Sequence, residues 1–223
     1  MKYEVAAILP MKHNSERVPG KNYRKFGDKL LYEHVLNTLL ACDEIDVVVV
    51  DTDSDLIIDA ISKNYPQVKV LIRPEHLRPG DTPMNDVLLN TIRQVDAKYF
   101  LQTHSTNPLL TAESVNNAVN LFLRKYPIND SLFSVTRLQT RLWNELTMPV
   151  NHNPNILLPT QDLPPIYEEN SCVYIFTEEI IRSRHNRIGS RPIMFEIEKI
   201  EAQDIDTEAE FLIAEAIYSN NKK

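Results

Sequence analysis

Across the first 136 residues, short β-rich runs alternate with helical patterns, and no other feature of this 223-residue chain restricts its fold as tightly. The runs fall at 3–9, 45–50, 68–72, 98–102 and 131–136, with helical patterns at 29–41, 54–65, 83–96 and 111–126 between them. In the second helical pattern Leu56, Ile57, Ala60 and Ile61 make one apolar stripe. The run Val47-Val48-Val49-Val50 is apolar at every position, which suits a strand covered on both faces. Strand–helix alternation of this kind predicts an α/β fold with a mostly parallel sheet and right-handed crossovers. Ligands of such sheets bind beyond the carboxyl ends of the strands, so the loops that follow strands are where chemistry is expected.

The pattern breaks at about residue 137. Residues 137–170 hold five prolines and the only tryptophan, Trp143, and show no clean period. A structureless stretch of that length does not suit the interior of a compact domain. It reads as an arm that packs on a second copy of the chain, where Trp143, Leu157 and Leu158 would find cover. An irregular lid over the same subunit is the other reading. Strands resume at 172–176 and 193–198, a last helix is predicted from 207 to 218, and the tail 220–223 is expected to fray. The division is therefore one α/β domain from 1–136 and 171–223, with an arm at 137–170 inserted in it.

Several classes are excluded. A formal net charge of −7 argues against a partner that is a nucleic acid or an anionic membrane. The four glycines, Gly20, Gly27, Gly80 and Gly189, cannot form G-x-G-x-x-G or a P-loop. Two cysteines without C-x-x-C spacing offer neither a disulfide framework nor a cysteine zinc site, and suit a reducing cytoplasm. The N-terminal apolar run breaks at Pro10, and no run approaches the roughly 20 residues that span a bilayer.

The loop after the first strand is basic. Between Lys12 and Lys25 lie Lys12, Arg17, Lys21, Arg24 and Lys25, against one acidic residue, Glu16. Fixed cations, hydroxyls and backbone amides converging at a strand end suit a polyphosphate, although a solvated basic loop has the same composition. Near the other end of the chain, Asp204 and Asp206 stand two apart. In an extended segment both carboxylates face one side, a pair of hard ligands suited to Mg²⁺. Helix capping by Asp206 or by a Thr207–Glu210 box is the structural alternative for 206–210.

These motifs, in order, resemble the acylneuraminate cytidylyltransferase (CMP-N-acetylneuraminic acid synthetase) family. Ile8-Leu9-Pro10-Met11-Lys12 through Ser15, Arg17 and Pro19-Gly20-Lys21-Asn22 resembles its signature loop. Gly27 with Leu30-Leu31 ahead of His34, Val50-Asp51-Thr52-Asp53, and Leu71-Ile72-Arg73-Pro74-Glu75 with Asp81-Thr82 continue the match. So do Leu101-Gln102 with Ser105 and Pro108-Leu109, Gln161-Asp162-Leu163-Pro164, Asn170 before Val173-Tyr174, and Asp204-Ile205-Asp206-Thr207-Glu208.

The resemblance implies a Rossmann-like, three-layer α/β/α nucleotidyltransferase, a homodimer joined through its arm, and Mg²⁺-dependent transfer of CMP from CTP to an acidic sugar in the cytoplasm. It implies that Lys12, Lys21, Asp204 and Asp206 are catalytic, with Asp204 and Asp206 holding the metal. Lys12, Ser15, Arg17, Lys21, Asn22 and Arg73 would meet the nucleotide, and Gln102 and Asn170 the sugar. For Gln102 a strand-terminal polar residue of no consequence is the alternative, and an arginine before proline, like Arg73, is often a surface residue. Four positions depart from the family pattern: Lys12 and Thr160 where it has arginine, Glu16 where it has lysine, and Glu168 in place of arginine. Glu16 is expected to turn away from the phosphates or to pair with Arg17 or Lys21. A glycosyltransferase with an Asp-x-Asp motif and a catalytically silent CTP-binding paralogue are the competing functions.

Overall fold

The computed structural model describes residues 1–221. Its strands are β1 (Tyr3–Met11), β2 (Lys25–Phe26), β3 (Lys29–Leu30), β4 (Val47–Thr52), β5 (Lys69–Ile72), β6 (Ala97–Gln102), β7 (Ser131–Leu138), β8 (Ile166–Phe176) and β9 (Pro192–Glu196). Its helices are α1 (Leu31–Leu40), α2 (Asp55–Asn64), α3 (Met84–Ile92), α4 (Ala112–Lys125), α5 (Glu178–Arg184) and α6 (Glu208–Asn221). Every strand and helix read from the sequence is present, with ends shifted by a few residues. The short β2–β3 hairpin and α5 were not anticipated. Of the tail 220–223 expected to fray, Asn220 and Asn221 belong to α6, and residues 222 and 223 lie outside the described ones.

Seven strands form one sheet in the order β5-β4-β1-β6-β8-β7-β9, and β8 alone runs against the rest. The side-chain alternation of β1 shows how the layers form. Val5, Ala7, Leu9 and Met11 enter the core beneath α1, α2 and α4, whereas Ala6 and Ile8 enter the one that holds α3 and α5. Period-2 alternation with both sides apolar requires helices on both faces, and the result is a three-layer α/β/α sandwich. A third cluster joins Val18, Phe26 and Leu31 to Ile205, Phe211 and Ala214, and so seats α6 against the loop that follows β1.

Arg73 is a correction. It follows β5 with no exposed surface, and its Nε donates to Asp51 Oδ1 at 2.6 Å, with Asp51 also fully buried. Thr91 of α3 donates to the second Asp51 oxygen at 2.9 Å. Burial of Asp51 at the end of β4 requires a cation, and Arg73 supplies it. Arg73 therefore ties β4 and β5 to α3, and reaches neither the surface nor a nucleotide.

The region 137–170 is also more ordered at its edges than expected, since β7 runs to Leu138 and β8 starts at Ile166. The excursion between them, 139–165, is pinned at its base by Asn151, which accepts from the Leu142 amide at 3.0 Å and donates to Thr140 O and Pro164 O at 2.7 and 3.1 Å. Beyond that knot the apolar side chains point outward: Trp143 is 53% exposed, Leu146 73% and Leu157 87%.

Candidate active site

A cleft of about 780 Å³ opens beyond the carboxyl ends of β1 and β6, lined by the loop after β1, by Gly80 and Asp81, and by His104, Ser105 and Thr106. Its size suits a nucleotide-scale ligand.

The loop after β1 is built as a rigid wall. Gly20 takes a left-handed conformation (φ 65°) and starts a tight turn over Lys21–Tyr23. Asn22 ties the loop to its surroundings, donating to Lys12 O at 2.8 Å and accepting from Ser105 Oγ at 2.7 Å. Lys12 Nζ reaches across the mouth to the carbonyls of Pro79 and Gly80 at 3.2 and 2.9 Å. Ser15, Arg17, Lys21 and Asn22 all line the cleft. The structure thus brings together five of the six residues expected at the nucleotide, and leaves out Arg73.

The Asp204–Asp206 segment backs onto this wall. Ile205 between them is buried, and its amide donates to Thr106 O at 3.0 Å. Lys21 is buried and donates to Ile205 O, with its Nζ 3.5 Å from Asp206 Oδ1; Arg17 Nη2 donates to the same oxygen at 2.8 Å. Asp206 is thus the counter-charge of the basic loop and not the helix cap. The cap of α6 is the box in which Glu210 accepts from the Thr207 amide at 2.8 Å and donates its own amide to Thr207 Oγ1 at 3.3 Å. Asp204 opens on the other side, onto a small cleft of about 260 Å³ shared with Glu168, Glu169 and Asn170. Burial raises its pKa and the charge of Asp206 adds to the rise, against hydrogen bonds from Thr106 and the Ile205 amide and the charge of Lys21.

Both carboxylates are hard oxygen ligands of the kind that suits Mg²⁺, but they do not face one side as expected: Asp206 turns to the basic loop and Asp204 to the small recess. A cation would relieve the raised proton affinity of Asp204 and its repulsion from Asp206. Among the described residues no third His, Cys, Asp or Glu joins them as a metal cluster, so phosphate and water would complete the shell.

The two residues expected at the sugar, Gln102 and Asn170, are both tied to their own chain, and Asn170 lines the recess beside Asp204. Gln102 is fully buried; its Nε2 donates to Thr103 O at 3.0 Å and its Oε1 accepts from Arg187 Nη1. Each end of the amide is engaged once, so Gln102 positions Arg187 and keeps one N–H and one lone pair over. Asn170 is engaged likewise, accepting from Ser134 Oγ at 2.6 Å and donating to Thr136 Oγ1 at 3.0 Å, where β7 and β8 slip register. Glu16 is exposed but is neither turned from the cleft nor paired with Arg17 or Lys21. It lines the rim opposite Gly80, because Asp206 has taken both neighbouring cations.

Two residues escaped the sequence reading. His104, after β6, has its pKa lowered to about 4 by burial and by the flanking charges of Arg187 and Lys21, against the opposing charge of Asp206. Arg187 lies in the loop between α5 and β9. No local signal marks it: Asn186-Arg187-Ile188-Gly189 follows α5, a helix the sequence does not announce, and stands apart from the loops after strands.

Comparison with known proteins returns one family. A sequence model described as cytidylyltransferase matches residues 6–223. The chain is 26% identical to the CMP-N,N'-diacetyllegionaminic acid synthase of Legionella pneumophila over 98% of each chain. It is 23% identical to the pseudaminic acid cytidylyltransferase of Campylobacter jejuni over 96% of each. Among solved structures, a CMP:2-keto-3-deoxy-manno-octonic acid synthetase complexed with CTP shares the fold at a TM-score of 0.73 and 14% identity, covering 98% of this chain and 99% of that one.

Proposed function

The chain belongs to the cytidylyltransferase family, and on that premise we propose that it transfers CMP from CTP to the anomeric hydroxyl of an acidic, nonulosonate-type sugar. The carrying observation is the wall formed by Lys12, Arg17 and Lys21 beside the Asp204–Asp206 pair, at the strand ends of the sheet. The relatives named above, whose names specify legionaminic and pseudaminic acids, support the choice of sugar.

In this reading the sugar hydroxyl oxygen forms a bond to the α-phosphorus as the bond from that phosphorus to the bridging oxygen breaks. The electron pair leaves with pyrophosphate, and the hydroxyl proton passes to water. Lys12, Arg17 and Lys21 neutralise the triphosphate, and the Asn22–Ser105 tie holds their loop so that little reorganisation accompanies the transfer. Mg²⁺ held by Asp204 and Asp206 would supply further charge neutralisation and orient the phosphate oxygens. Once phosphate draws Arg17 and Lys21, Asp206 is left free for the metal. His104, held neutral by its surroundings, adds no repulsive or attractive charge between the two cations that flank it.

The protein acts as a homodimer in this proposal. The excursion 139–165 places Trp143, Leu146, Met148 and Leu157 outward, a surface that a second copy would cover. Cytoplasmic residence follows from the need for CTP.

The test is pyrophosphate release from CTP and Mg²⁺ with N,N'-diacetyllegionaminic acid, pseudaminic acid and 3-deoxy-manno-octulosonate in turn. Release with one of them is the expected result. CTP binding without release points to a silent paralogue, and binding of a nucleotide sugar but not CTP to a glycosyltransferase. Light scattering that returns a monomer at micromolar concentration removes the dimer.

A further inference from the structure

Arg187 is a half-buried arginine that the mechanism above does not use and that, unlike Arg73, lacks a buried carboxylate partner. Among the described residues no carboxylate forms an ion pair with it. Its guanidinium stacks over the Tyr174 ring at 3.8 Å, one Nη1 hydrogen goes to Gln102 Oε1, and its Nε is buried without a partner. The charge of Glu169, which accepts from the Tyr174 hydroxyl, acts on Arg187 without forming an ion pair, so the guanidinium keeps hydrogen-bonding capacity for an anion that arrives.

The loop that carries Arg187 is held rigidly. Asp130 accepts from the amides of Ser190 and Arg191 at 2.9 and 3.0 Å, and the Gly189 amide donates to Ser131 Oγ at 2.8 Å. A Cβ on Gly189 would stand 2.2 Å from Asp130 Oδ1, so only glycine allows this closure. Burial of Asp130 opposes its charge, yet the amides of Arg191 and Ser190 and the Ser131 hydroxyl outweigh it and hold its carboxyl below the ordinary value. Stacking, the Gln102 contact and the pinned loop together fix the guanidinium plane, which is the preorganisation that a two-point carboxylate contact needs.

Position decides which anion. Gln102, which accepts from Arg187, ends β6, and His104 two residues further on lines the phosphate cleft, so Arg187 sits beside the β6 side of that cleft. The other nearby recess, next to Asp204, is lined by Glu168, Glu169, Asp204 and Glu210 against one cation, Lys199, and repels a carboxylate. We propose that Arg187, oriented by Gln102 and Tyr174, binds the carboxylate of the sugar substrate and so selects acidic sugars. This inference rests on the transfer reaction proposed above and names the residue that makes it specific.

The experiment compares the full-length protein with Arg187→Gln and Arg187→Lys, using the three acids named above and the methyl ester of whichever acid reacts best. Arg187→Gln should raise the sugar KM by about 10- to 100-fold, the range for a lost charged hydrogen bond, with the CTP KM within two-fold. Discrimination between acid and ester should fall by the same factor. Arg187→Lys should recover only part of the loss, because a point charge lacks the fork; it also carries the test should Arg187→Gln not fold. A sugar KM and an acid–ester ratio unchanged in either folded variant overturn the inference while the transfer reading stands. A CTP KM that rises with the sugar KM overturns it too, and makes Arg187 a phosphate ligand. An unaltered protein that releases no pyrophosphate with any of the three acids overturns the transfer reading itself, and this inference with it.

Discussion

Two arginines, one fully buried in the parallel half of the sheet and one half-buried in the other, are held in opposite ways. In the parallel half, β5-β4-β1-β6, Arg73 meets a buried carboxylate and a well-filled core. In the half built on β8, β7 and β9, Arg187 meets an amide and a ring face and no carboxylate. In the first arrangement the charge is paired, although Nη1 of Arg73 is itself buried without a hydrogen-bond partner. In the second no ion pair among the described residues balances the charge. Burial alone therefore does not say whether a charged side chain serves stability or binding; whether its charge is paired does.

The largest effect expected from this contrast is on folding. Arg73→Met leaves Asp51 buried without its cation, which costs about 3–5 kcal/mol. Chemical denaturation should show that loss, while the folded fraction keeps its CTP affinity. A large fall in affinity at unchanged stability would return Arg73 to the nucleotide site and break the contrast.

Next comes Lys21→Ala. Lys21 is buried, yet its partners, Ile205 O and Asp206, belong to the cleft wall. A charged phosphate contact contributes about 1.5–3 kcal/mol, so CTP affinity should weaken ten-fold or more in calorimetry. A melting temperature that falls with no change in affinity would class Lys21 with Arg73.

The pH dependence sharpens the comparison further. His104 has a folded pKa of about 4, below the ordinary value near 6.5. Between those values the unfolded chain holds the extra proton, so stability falls as pH drops from about 6.5 to 4, and the residue is neutral to stability above 7. The loss is on the order of 1–3 kcal/mol. His104→Gln should flatten that part of a melting-temperature profile. A His104 ring signal titrating near 6.5 by NMR would refute it.

The smallest effect belongs to Glu16, exposed at the rim. Glu16→Lys should strengthen CTP binding by no more than about ten-fold, since a solvent-exposed charge contributes at most about 1 kcal/mol. Turnover that rises by orders of magnitude would mean that Glu16 governs the site.

Much of the parallel half was legible because two periods coincide there. Val47–Val50 and the Leu56-Ile57-Ala60-Ile61 stripe encode strand and helix locally, and the strands' ends then locate the cleft. The basic loop was legible because five cations in 14 residues stand out in an acidic chain. What was missed depends on contacts distant in sequence. Nothing local to Arg73 announces Asp51, 22 residues earlier, and nothing local to Gln102 announces Arg187, 85 residues later. The short helix α5 carries four charged residues in its first and last turns and one fully buried side chain, Ile181, too little for an amphipathic signal. Glu16 was misjudged because its cationic neighbours were assumed free, when Asp206 holds both.

The cleft wall is also a product of late synthesis. Lys21 is held by the carbonyl of Ile205, 184 residues further on, and Arg24 by Glu208, equally far. At about 5–20 residues per second, a ribosome leaves the basic loop without these partners for roughly 10–40 s. In the later part of that interval, once β6 has been made, the strands β1, β4, β5 and β6 can pair, while Arg17, Lys21 and Arg24 still await Asp206, Ile205 and Glu208. A nascent polypeptide stalled before Asp206 would present an assembled sheet with an unrestrained cationic loop, a target for any anionic polymer close to the exit tunnel. Release of the last helix is what closes that exposure.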